Sequence, residues 1–328
     1  MTTRPLLEVR DLAVEFATEE GTVRAVKGVD FTVERGRTLG IVGESGSGKS
    51  VTSLAVMGLH RGATVTGSAR LDGTELIGAP EERLRALRGR RMAMVFQDAL
   101  TALHPYFTVG DQIAEAHRAH FGGSRRAALV RAVDVLGDVG IPEPARRAGE
   151  HPHQFSGGMR QRAMIALALS CEPDLVIADE PTTALDVTVQ AQVLELLMRL
   201  QAERGLGIVL ITHDLGVIAR VADDVLVMYG GSAAEQAPAD TLFTTPRHPY
   251  TRGLLDSLPR LDAEDGTPLR SIPGSPPSLL APPPGCAFHP RCARYAAEPD
   301  QRCTGDRPPL RTVAAGHRSA CVHDEVTA

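Results

Sequence analysis

The residues at positions 43–50 read GESGSGKS and fit the pattern G-x-x-x-x-G-K-[ST] in full. In such a loop the glycines let consecutive backbone N–H groups turn inward around phosphate oxygens, and the start of the next helix adds partial positive charge. A lysine at position 49 reaches the outer phosphates, and a serine hydroxyl at position 50 is a ligand for Mg²⁺. The residues predicted to bind a nucleoside triphosphate are Gly43, Glu44, Ser45, Gly46, Ser47, Gly48, Lys49, Ser50 and Val51.

Two carboxylates, Asp179 and Glu180, directly follow the apolar run at 175–178. A buried strand would deliver Asp179 to a place where it holds Mg²⁺, and Glu180, which points differently, would polarise a water molecule. Paired acids after a strand are often only turn or capping residues, so the pair favours catalysis only together with the phosphate loop. The sequence has no Asn-Lys-x-Asp for reading guanine, which favours ATP as the nucleotide.

The elements that must position these residues alternate between strands and helices. Alternation of this kind favours a parallel α/β sheet. Short apolar runs predict buried strands at Thr38–Val42, 92–96, 175–178 and 208–212, and helical spacing predicts helices at 49–59 and Val187–Arg204. Alternating apolar and polar residues at 6–16 and 25–34 predict an antiparallel hairpin.

Proline divides the chain of 328 residues near position 255. Twelve of the 23 prolines lie in residues 256–328. Because proline lacks a backbone N–H and fixes φ, this segment is predicted to be an irregular extension. We therefore predict a compact domain at 1–255 and an extension at 256–328.

Charge and hydropathy restrict the partners and the location of the chain. The formal net charge of −5 disfavours a nucleic-acid partner. No stretch reaches the ~18 apolar residues of a membrane span, and residues 1–5 lack the apolar segment of a signal peptide. The expectation is a chain that stays in the cytoplasm.

Four of the five cysteines, Cys286, Cys292, Cys303 and Cys321, lie in the proline-rich extension. Such a segment cannot fold by hydrophobic burial alone, and a disulfide is not expected in a reducing compartment. Four thiolates suit Zn²⁺ or an iron–sulfur cluster, although the C-x₂-C spacing typical of zinc sites is absent. The alternatives left open are thiols without metal and a mixed zinc site that includes His289, His317 or His323.

Residues 155–162 read FSGGMRQR and resemble the signature motif of ATP-binding cassette (ABC) ATPases, commonly Leu-Ser-Gly-Gly-Gln. The resemblance covers residues 6 to about 255. It implies a P-loop NTPase domain with a RecA-like core, an antiparallel β subdomain and a helical subdomain at about 98–170. By resemblance, the remaining motifs are the Q-loop glutamine Gln97, which contacts Mg²⁺ and the γ-phosphate, the D-loop 184–186 with Asp186, the switch histidine His213, and the adenine-stacking Phe16.

The resemblance also implies the mechanism of ABC ATPases. Two cassettes dimerise head to tail, and each ATP lies between the phosphate loop of one and Ser156, Gly157 and Gly158 of the other. Glu180, His213 and Gln97 are the catalytic residues by the same resemblance. A single cassette without a membrane span implies separate membrane subunits and a second ATPase subunit.

Residues 247–255 read RHPYTRGLL and, with the PGSPP run and the cysteine-bearing tail, resemble the C-terminal extension of dipeptide/oligopeptide (peptide/nickel) importer ATPases. The resemblance implies a peripheral ATPase subunit at the cytoplasmic face of the membrane that energises import of di- or oligopeptides. Its implied partners are a second ATPase subunit, two permease subunits and an extracytoplasmic substrate-binding protein. It also implies a [4Fe–4S] cluster on the four tail cysteines, with Zn²⁺ as the competitor.

Two alternative functions follow from the same motifs. Importers of nickel or other small solutes share the extension. An ABC ATPase without a transport role is disfavoured, because the segment between Ser50 and Ser156 is too short for the coiled-coil insertion of the DNA-repair and chromosome-organising members.

Overall fold

The computed structural model describes residues 4–183, 185–258 and 271–324. The strands are β1 (Leu7–Thr18), β2 (Gly21–Val33), β3 (Thr38–Val42), β4 (Ala63–Leu71), β5 (Thr74–Glu75), β6 (Met92–Val95), β7 (Leu175–Asp179), β8 (Gly207–Ile211), β9 (Asp224–Tyr229), β10 (Ser232–Pro238), β11 (Arg311–Ala314) and β12 (His317–Ser319). The helices are α1 (Lys49–Val56), α2 (Glu81–Leu87), α3 (Ala99–Ala102), α4 (Val109–Phe121), α5 (Arg125–Asp138), α6 (Pro144–Arg147), α7 (Gly157–Leu169), α8 (Val187–Arg204), α9 (Leu215–Val221), α10 (Ala239–Thr244), α11 (Pro249–Asp256) and α12 (Ala293–Ala297).

The chain divides into two compact units, each assembled from separate segments. The first unit holds the described residues of Met1–Leu6, Val33–Arg37 and Ala79–Ile211. The second unit holds those of Leu7–Thr32, Thr38–Gly78 and Thr212–Ala328.

The first unit contains three parallel strands and seven helices of the described chain. β7 pairs in parallel with β6, with Leu175 opposite Met92, and with β8, with Leu175 opposite Gly207. All three strands are buried throughout, which accounts for their continuous apolar sequence. Helix α5 packs on α4 and α7, and these contacts bury Ile113, Leu136 and Met164.

The second unit contains an antiparallel sheet in the order β2-β1-β4-β5. Leu7 of β1 lies opposite Leu71 of β4, and the register shifts between Arg10 and Ala13. Asp11 lies in this shift with a φ of 47°, a left-handed conformation that marks an irregularity in the strand.

The second unit also contains strands in the order β11-β12-β10-β9-β3. β3 pairs in parallel with β9, whereas β10 is antiparallel to both β9 and β12, and β11 is antiparallel to β12. The prediction of a wholly irregular extension is therefore wrong for Ala293–Ala297, which form α12, and for residues 311–319, because β11 and β12 add two strands to this sheet. Strands of four and three residues with mostly polar side chains have no hydrophobic period of their own. The pairing of β12 with β10 and of β11 with β12 places them in the sheet.

Most predicted elements agree with the observed ones. β3 and α8 have the predicted bounds, whereas the helix predicted at 49–59 ends at Val56. Gly58 follows with a φ of 64°, a left-handed conformation that ends helices. Across the described ranges, no helix has the length and apolar character that crossing a membrane requires.

Candidate functional site

The phosphate loop lies between β3 and α1 in the second unit, in the strand–loop–helix arrangement that the motif predicts. Lys49 is 6% exposed, and its ammonium donates to the carbonyl oxygens of Gly43 at 2.7 Å and Glu44 at 3.0 Å. Ser50 is the second residue of α1, and Ser45 and Gly46 are exposed. The loop thus presents a buried cation, a helix N-terminus and an accessible apex, which are the features that bind a phosphate.

Two glycines of the loop lie where a side chain would not fit. A Cβ at Gly43 would collide with the carbonyl oxygen of Met228, and a Cβ at Gly48 would lie 2.6 Å from the carbonyl oxygen of Ala25. Gly48 has a φ of 99°, which only glycine adopts without strain. Glycine at these two positions therefore lets the loop pack against the backbone of Met228 and Ala25.

One polar atom of the loop supports its fit to phosphate oxygens. The hydroxyl of Ser47 is buried, and among the described residues it has no hydrogen-bond partner. A buried hydroxyl without a partner costs free energy unless a ligand or a water molecule satisfies it. The donor set of the loop therefore suits the phosphates of a nucleotide.

Phe16, the predicted adenine platform, is half-buried near the end of β1. Its ring contacts the ring of His60 edge to face, with centroids 5.5 Å apart. His60 also forms a hydrogen bond of 2.7 Å with the carbonyl oxygen of Val51. Sequence reasoning missed His60, because a single histidine in a loop gives no signal of its own.

His213, the predicted switch histidine, is exposed and lies just before α9. Its neighbour Asp214 caps that helix, since its carboxylate accepts from the N–H groups of Gly216 at 2.8 Å and Val217 at 3.2 Å. The cap fixes the backbone that carries His213.

Asp179 ends β7 in the first unit, and Glu180 follows it. Asp179 is 6% exposed, and Glu180 is half-buried with a φ of 47°. The N–H of Glu180 donates to the carbonyl oxygen of Ile211 at 2.8 Å. A left-handed conformation at a residue with a side chain costs about 1 kcal/mol, so the surrounding contacts hold Glu180 in this strained turn.

The carboxylate of Glu180 contacts two polar side chains through one oxygen, Oε2. The amide of Gln97 donates to it at 3.0 Å, and the hydroxyl of Thr183 donates to it at 2.9 Å. The structure thus brings the predicted Q-loop residue and the predicted base together. Sequence reasoning missed Thr183, although its position three residues after Glu180 on a turn was a usable signal.

The signature residues stand at the beginning of α7, as the motif predicts. Ser156 is exposed and caps the helix by accepting from the N–H of Met159 at 3.4 Å. Gly157 is the first helical residue, and a Cβ at Gly158 would lie 2.6 Å from Cγ1 of Val189. An accessible helix N-terminus with a hydroxyl is suited to an anion.

The D-loop falls partly outside the described residues, because Ala184 is not among them. Asp186 caps α8, since its carboxylate accepts from the N–H of Val189 at 3.0 Å. The observed role of Asp186 is thus to begin a helix.

The tail cysteines are free thiols in one part of the second unit. The N–H of Cys286 donates to the carbonyl oxygen of Cys303 at 2.8 Å, and Sγ of Cys303 lies 3.5 Å from Nε2 of His323. Burial raises the pKa of the Cys286 and Cys303 thiols, and raises the pKa of Cys321 to about 11. Within residues 4–183, 185–258 and 271–324, no three His, Cys, Asp or Glu side chains are grouped so as to hold a metal ion, so the arrangement gives no support to a bound cluster or zinc.

Two family profiles match this chain. The profile described as ABC transporter matches residues 26–183, and the profile described as Oligopeptide/dipeptide transporter, C-terminal region, matches residues 234–298. The two matches cover the phosphate loop, the signature and the His-Pro-Tyr segment. They confirm the family resemblance found in the motifs.

Curated relatives match nearly the whole chain. The Oligopeptide transport ATP-binding protein OppD of Mycobacterium bovis is 51% identical over 326 residues, which are 98% of this chain and 52% of the relative, so the chain spans about half the length of that protein. The protein of the same name from Salmonella typhimurium is 50% identical over 317 residues, which are 96% of this chain and 93% of the relative.

A solved structure shares the fold. The ATP-binding cassette MJ0796, described as dimeric and in a post-hydrolysis state bound to ADP and Pi, superposes with a TM-score of 0.65 at 27% identity. The match covers 71% of this chain and 98% of that one. The predicted α/β fold of an ABC ATPase is thereby confirmed, and the chain belongs to the ABC transporter family of ATP-binding proteins, in the group that carries the oligopeptide/dipeptide transporter C-terminal region.

Proposed function

We propose that this chain binds ATP with Mg²⁺ and hydrolyses it to ADP and phosphate. The observation that carries the proposal is the phosphate loop, with its buried Lys49, its helix N-terminus and a buried Ser47 hydroxyl to which the described part of the chain offers no hydrogen-bond partner. The description of the related cassette with ADP and Pi supports the same reaction.

The proposed roles follow the chemistry of each group. Residues 43–51 bind the phosphates, with Lys49 on the outer ones, and Phe16 stacks on adenine. Mg²⁺, held by Ser50, Gln97 and Asp179, would supply positive charge to the phosphate oxygens. Glu180 accepts a proton from the attacking water, and His213 contacts the γ-phosphate. Phosphoryl transfer needs mainly positioning and charge stabilisation, which this set of residues supplies.

The proposal includes a second cassette. Ser156, Gly157 and Gly158 would meet the γ-phosphate bound to the phosphate loop of a partner ATPase subunit, and Asp186 would lie in the same interface. Support comes from the accessible helix start at these residues and from the dimeric state of the related cassette.

The binding step tests the proposal most simply. We expect the purified full chain to bind ATP in the presence of Mg²⁺, and Lys49→Ala to raise the dissociation constant about a hundredfold, because a buried ammonium beside phosphate is lost. Normal ATP binding by Lys49→Ala would refute the assignment of the loop.

For the biological reaction, we propose that hydrolysis energises import of di- or oligopeptides. The names of the relatives and the matched C-terminal region support this substrate class. The proposed assembly comprises a second ATPase subunit, two permeases and an extracytoplasmic binding protein, without nucleic acid, with this chain at the cytoplasmic face of the membrane. Residues 1–255 would form the cassette and residues 256–328 the extension.

Uptake by cells tests the substrate class. Cells with the wild-type chain should accumulate a labelled tripeptide, and cells with Glu180→Gln should not. If the Glu180→Gln cells lose nickel uptake but take up the peptide as well as wild-type cells do, the nickel importer is favoured instead.

We make a separate proposal for the tail, a [4Fe–4S] cluster on Cys286, Cys292, Cys303 and Cys321. Its support is the donor chemistry of four thiols gathered in one tail. Anaerobic purification should give brown protein with about four irons per chain. Colourless protein with one zinc would favour the zinc site. Protein without metal would show that the four cysteines are thiols that bind no metal.

A further inference from the structure

Glu44, the second residue of the phosphate loop, is held by two residues from the C-terminal part of the chain. The N–H of Glu44 donates to the hydroxyl oxygen of Tyr250 at 2.8 Å. Its carboxylate receives two hydrogen bonds from the guanidinium of Arg291, at 2.6 Å and 3.0 Å. Since Lys49 donates to the carbonyl oxygen, all three polar parts of Glu44 are engaged within the second unit.

The Arg291 side chain forms the centre of this contact and is 7% exposed. Besides Glu44, it donates to the hydroxyl oxygen of Tyr229 at 3.2 Å and to the carbonyl oxygens of Pro273 at 2.8 Å and Ile272 at 3.3 Å. A planar guanidinium that forms two parallel bonds to a carboxylate gives strong, directional pairing. The same side chain therefore ties the tail to the loop.

Tyr250 is fixed by aromatic packing. It is 0% exposed, and its ring lies 4.5 Å from Tyr229 and 5.3 Å from Phe288, centroid to centroid. Phe288 belongs to the tail and is itself buried. The acceptor for the Glu44 N–H therefore has little freedom to move.

The charge of Glu44 makes the pairing consequential. A carboxylate in a loop that binds a triphosphate repels the ligand. It also lies in the residue whose carbonyl oxygen contacts Lys49, the cation assigned to the outer phosphates. Arg291 neutralises that carboxylate and draws it toward the tail.

We infer that Arg291 and Tyr250 are positioning residues for ATP, and that the docked tail sets the affinity of the phosphate loop by neutralising and fixing Glu44. The inference rests on the proposed ATP binding. It makes the C-terminal tail a part of the nucleotide site through Arg291, which lies 247 positions from Glu44, and it gives Tyr250, the residue 206 positions from Glu44 near the end of the cassette, a supporting contact.

A charge-rescue experiment tests the inference on the full purified chain. ATP dissociation constants are measured with Mg²⁺ for the wild type, Arg291→Met, Glu44→Gln and the double variant. Arg291→Met should weaken ATP binding about tenfold, because an unpaired carboxylate is left beside the phosphates. In the Glu44→Gln background, the same change should weaken binding less than about twofold.

The salt dependence of ATP binding distinguishes this charge effect from a merely structural role of Arg291. The weakened binding of Arg291→Met should recover toward wild type as ionic strength rises, because salt screens the repulsion. In steady-state hydrolysis its KM for ATP should rise while kcat changes less than about twofold. An Arg291→Lys variant keeps the charge without the paired geometry, so its ATP dissociation constant should lie between those of the wild type and Arg291→Met.

Several results would overturn the inference. These are an unchanged ATP affinity in Arg291→Met, an equal loss in both backgrounds, and a loss that salt does not reduce. If Arg291→Met fails to fold, the test uses Arg291→Lys and Tyr250→Phe, of which the latter removes only the acceptor oxygen. Wild-type ATP affinity in both of these variants would overturn the inference. A wild-type chain that binds no ATP would refute the proposed function instead, which separates the two failures.

Discussion

The side-chain amide of Gln97 donates a hydrogen bond of 3.0 Å to Oε2 of Glu180, although 83 positions separate the two residues. The hydroxyl of Thr183 reaches the same oxygen at 2.9 Å. Because two donors meet one oxygen, the carboxylate is held in one orientation. In the proposed reaction this orientation decides whether Glu180 can accept a proton from water, since general-base catalysis depends first on geometry.

Removing one of the two donors should reduce catalysis without affecting binding. We expect Thr183→Val to lower kcat for ATP hydrolysis about tenfold, with KM little changed, because the carboxylate loses part of its orientation. Thr183→Ser keeps the hydroxyl and is the matched control. Equal kcat values in the valine and serine variants would contradict this role of Thr183.

Replacing each of two loop glycines with alanine should lower the free energy of unfolding by different amounts. Gly48→Ala should lower the free energy of unfolding by about 2–4 kcal/mol, because it combines a left-handed backbone with a Cβ 2.6 Å from the carbonyl oxygen of Ala25. Gly46→Ala is the control, since its φ is 77° but no heavy atom lies within 4 Å of the added Cβ. It should lose about 1 kcal/mol. Urea unfolding measures the free energy of unfolding of both variants. Equal losses would show that the backbone shifts to relieve the collision between the added Cβ at position 48 and the carbonyl oxygen of Ala25.

A buried contact between a histidine and a carboxylate should anchor the tail strands. His317 of β12 and Glu235 of β10 are 2% and 0% exposed, with Nε2 and Oε1 2.6 Å apart. His317→Ala should lower the free energy of unfolding by about 3 kcal/mol, because the carboxylate of Glu235 stays buried without this partner. His317→Gln can still donate a hydrogen bond and should lose less. A loss below 1 kcal/mol in the alanine variant would show that the N–H groups of Arg247 and His248, which also donate to Glu235, satisfy the carboxylate.

Stability should fall in acid partly through His248. Burial lowers the pKa of His248 to about 4, and the charge of Glu235 only partly opposes this. The pKa of His248 in the folded state lies below the ordinary 6.5, so the folded state favours the neutral ring. The free energy of unfolding therefore has its full value with respect to His248 above pH 6.5, and it falls by up to about 3 kcal/mol as the pH drops from 6.5 toward 4. Protonation also removes the acceptor at Nδ1, which caps α11 by accepting from the N–H of Tyr250.

The variant His248→Asn separates this contribution from the other titrations. Asparagine keeps a capping group but does not titrate. Unfolding free energies measured from pH 7.5 to 4 should therefore decline less steeply in the variant than in the wild type. Parallel declines would mean that His248 does not contribute to acid sensitivity.

The nucleotide-binding motifs could be predicted because their signals are local. The apolar run Thr38–Val42, the glycines and Lys49 follow one another in the chain, so the strand, loop and helix are encoded within 43 to 50 and its flanks. The same holds for the signature at Ser156 and for the acids after β7. In each case a short segment determines both the structure and the chemistry.

Contacts between distant residues could not be predicted. The pairing of Gln236 with Arg318 places β12 on the sheet, and the bond from Arg291 to Glu44 joins the tail to the loop, yet neither contact has a local period or motif. A charged or polar residue in a proline-rich tail gives no indication of its partner. Phe288, whose ring contacts Tyr229, and His317, which contacts Glu235, hold the described tail within the second unit, and neither contact has a local signal in the sequence.

The most direct test of the account is phosphate release by Glu180→Gln compared with the wild type, with ATP binding measured on the same preparations. The substitution keeps size and hydrogen bonding but removes the proton acceptor. Phosphate release should fall at least about a hundredfold, while ATP still binds and holds two cassettes together. An unchanged rate of phosphate release would contradict the assignment of Glu180 as the base.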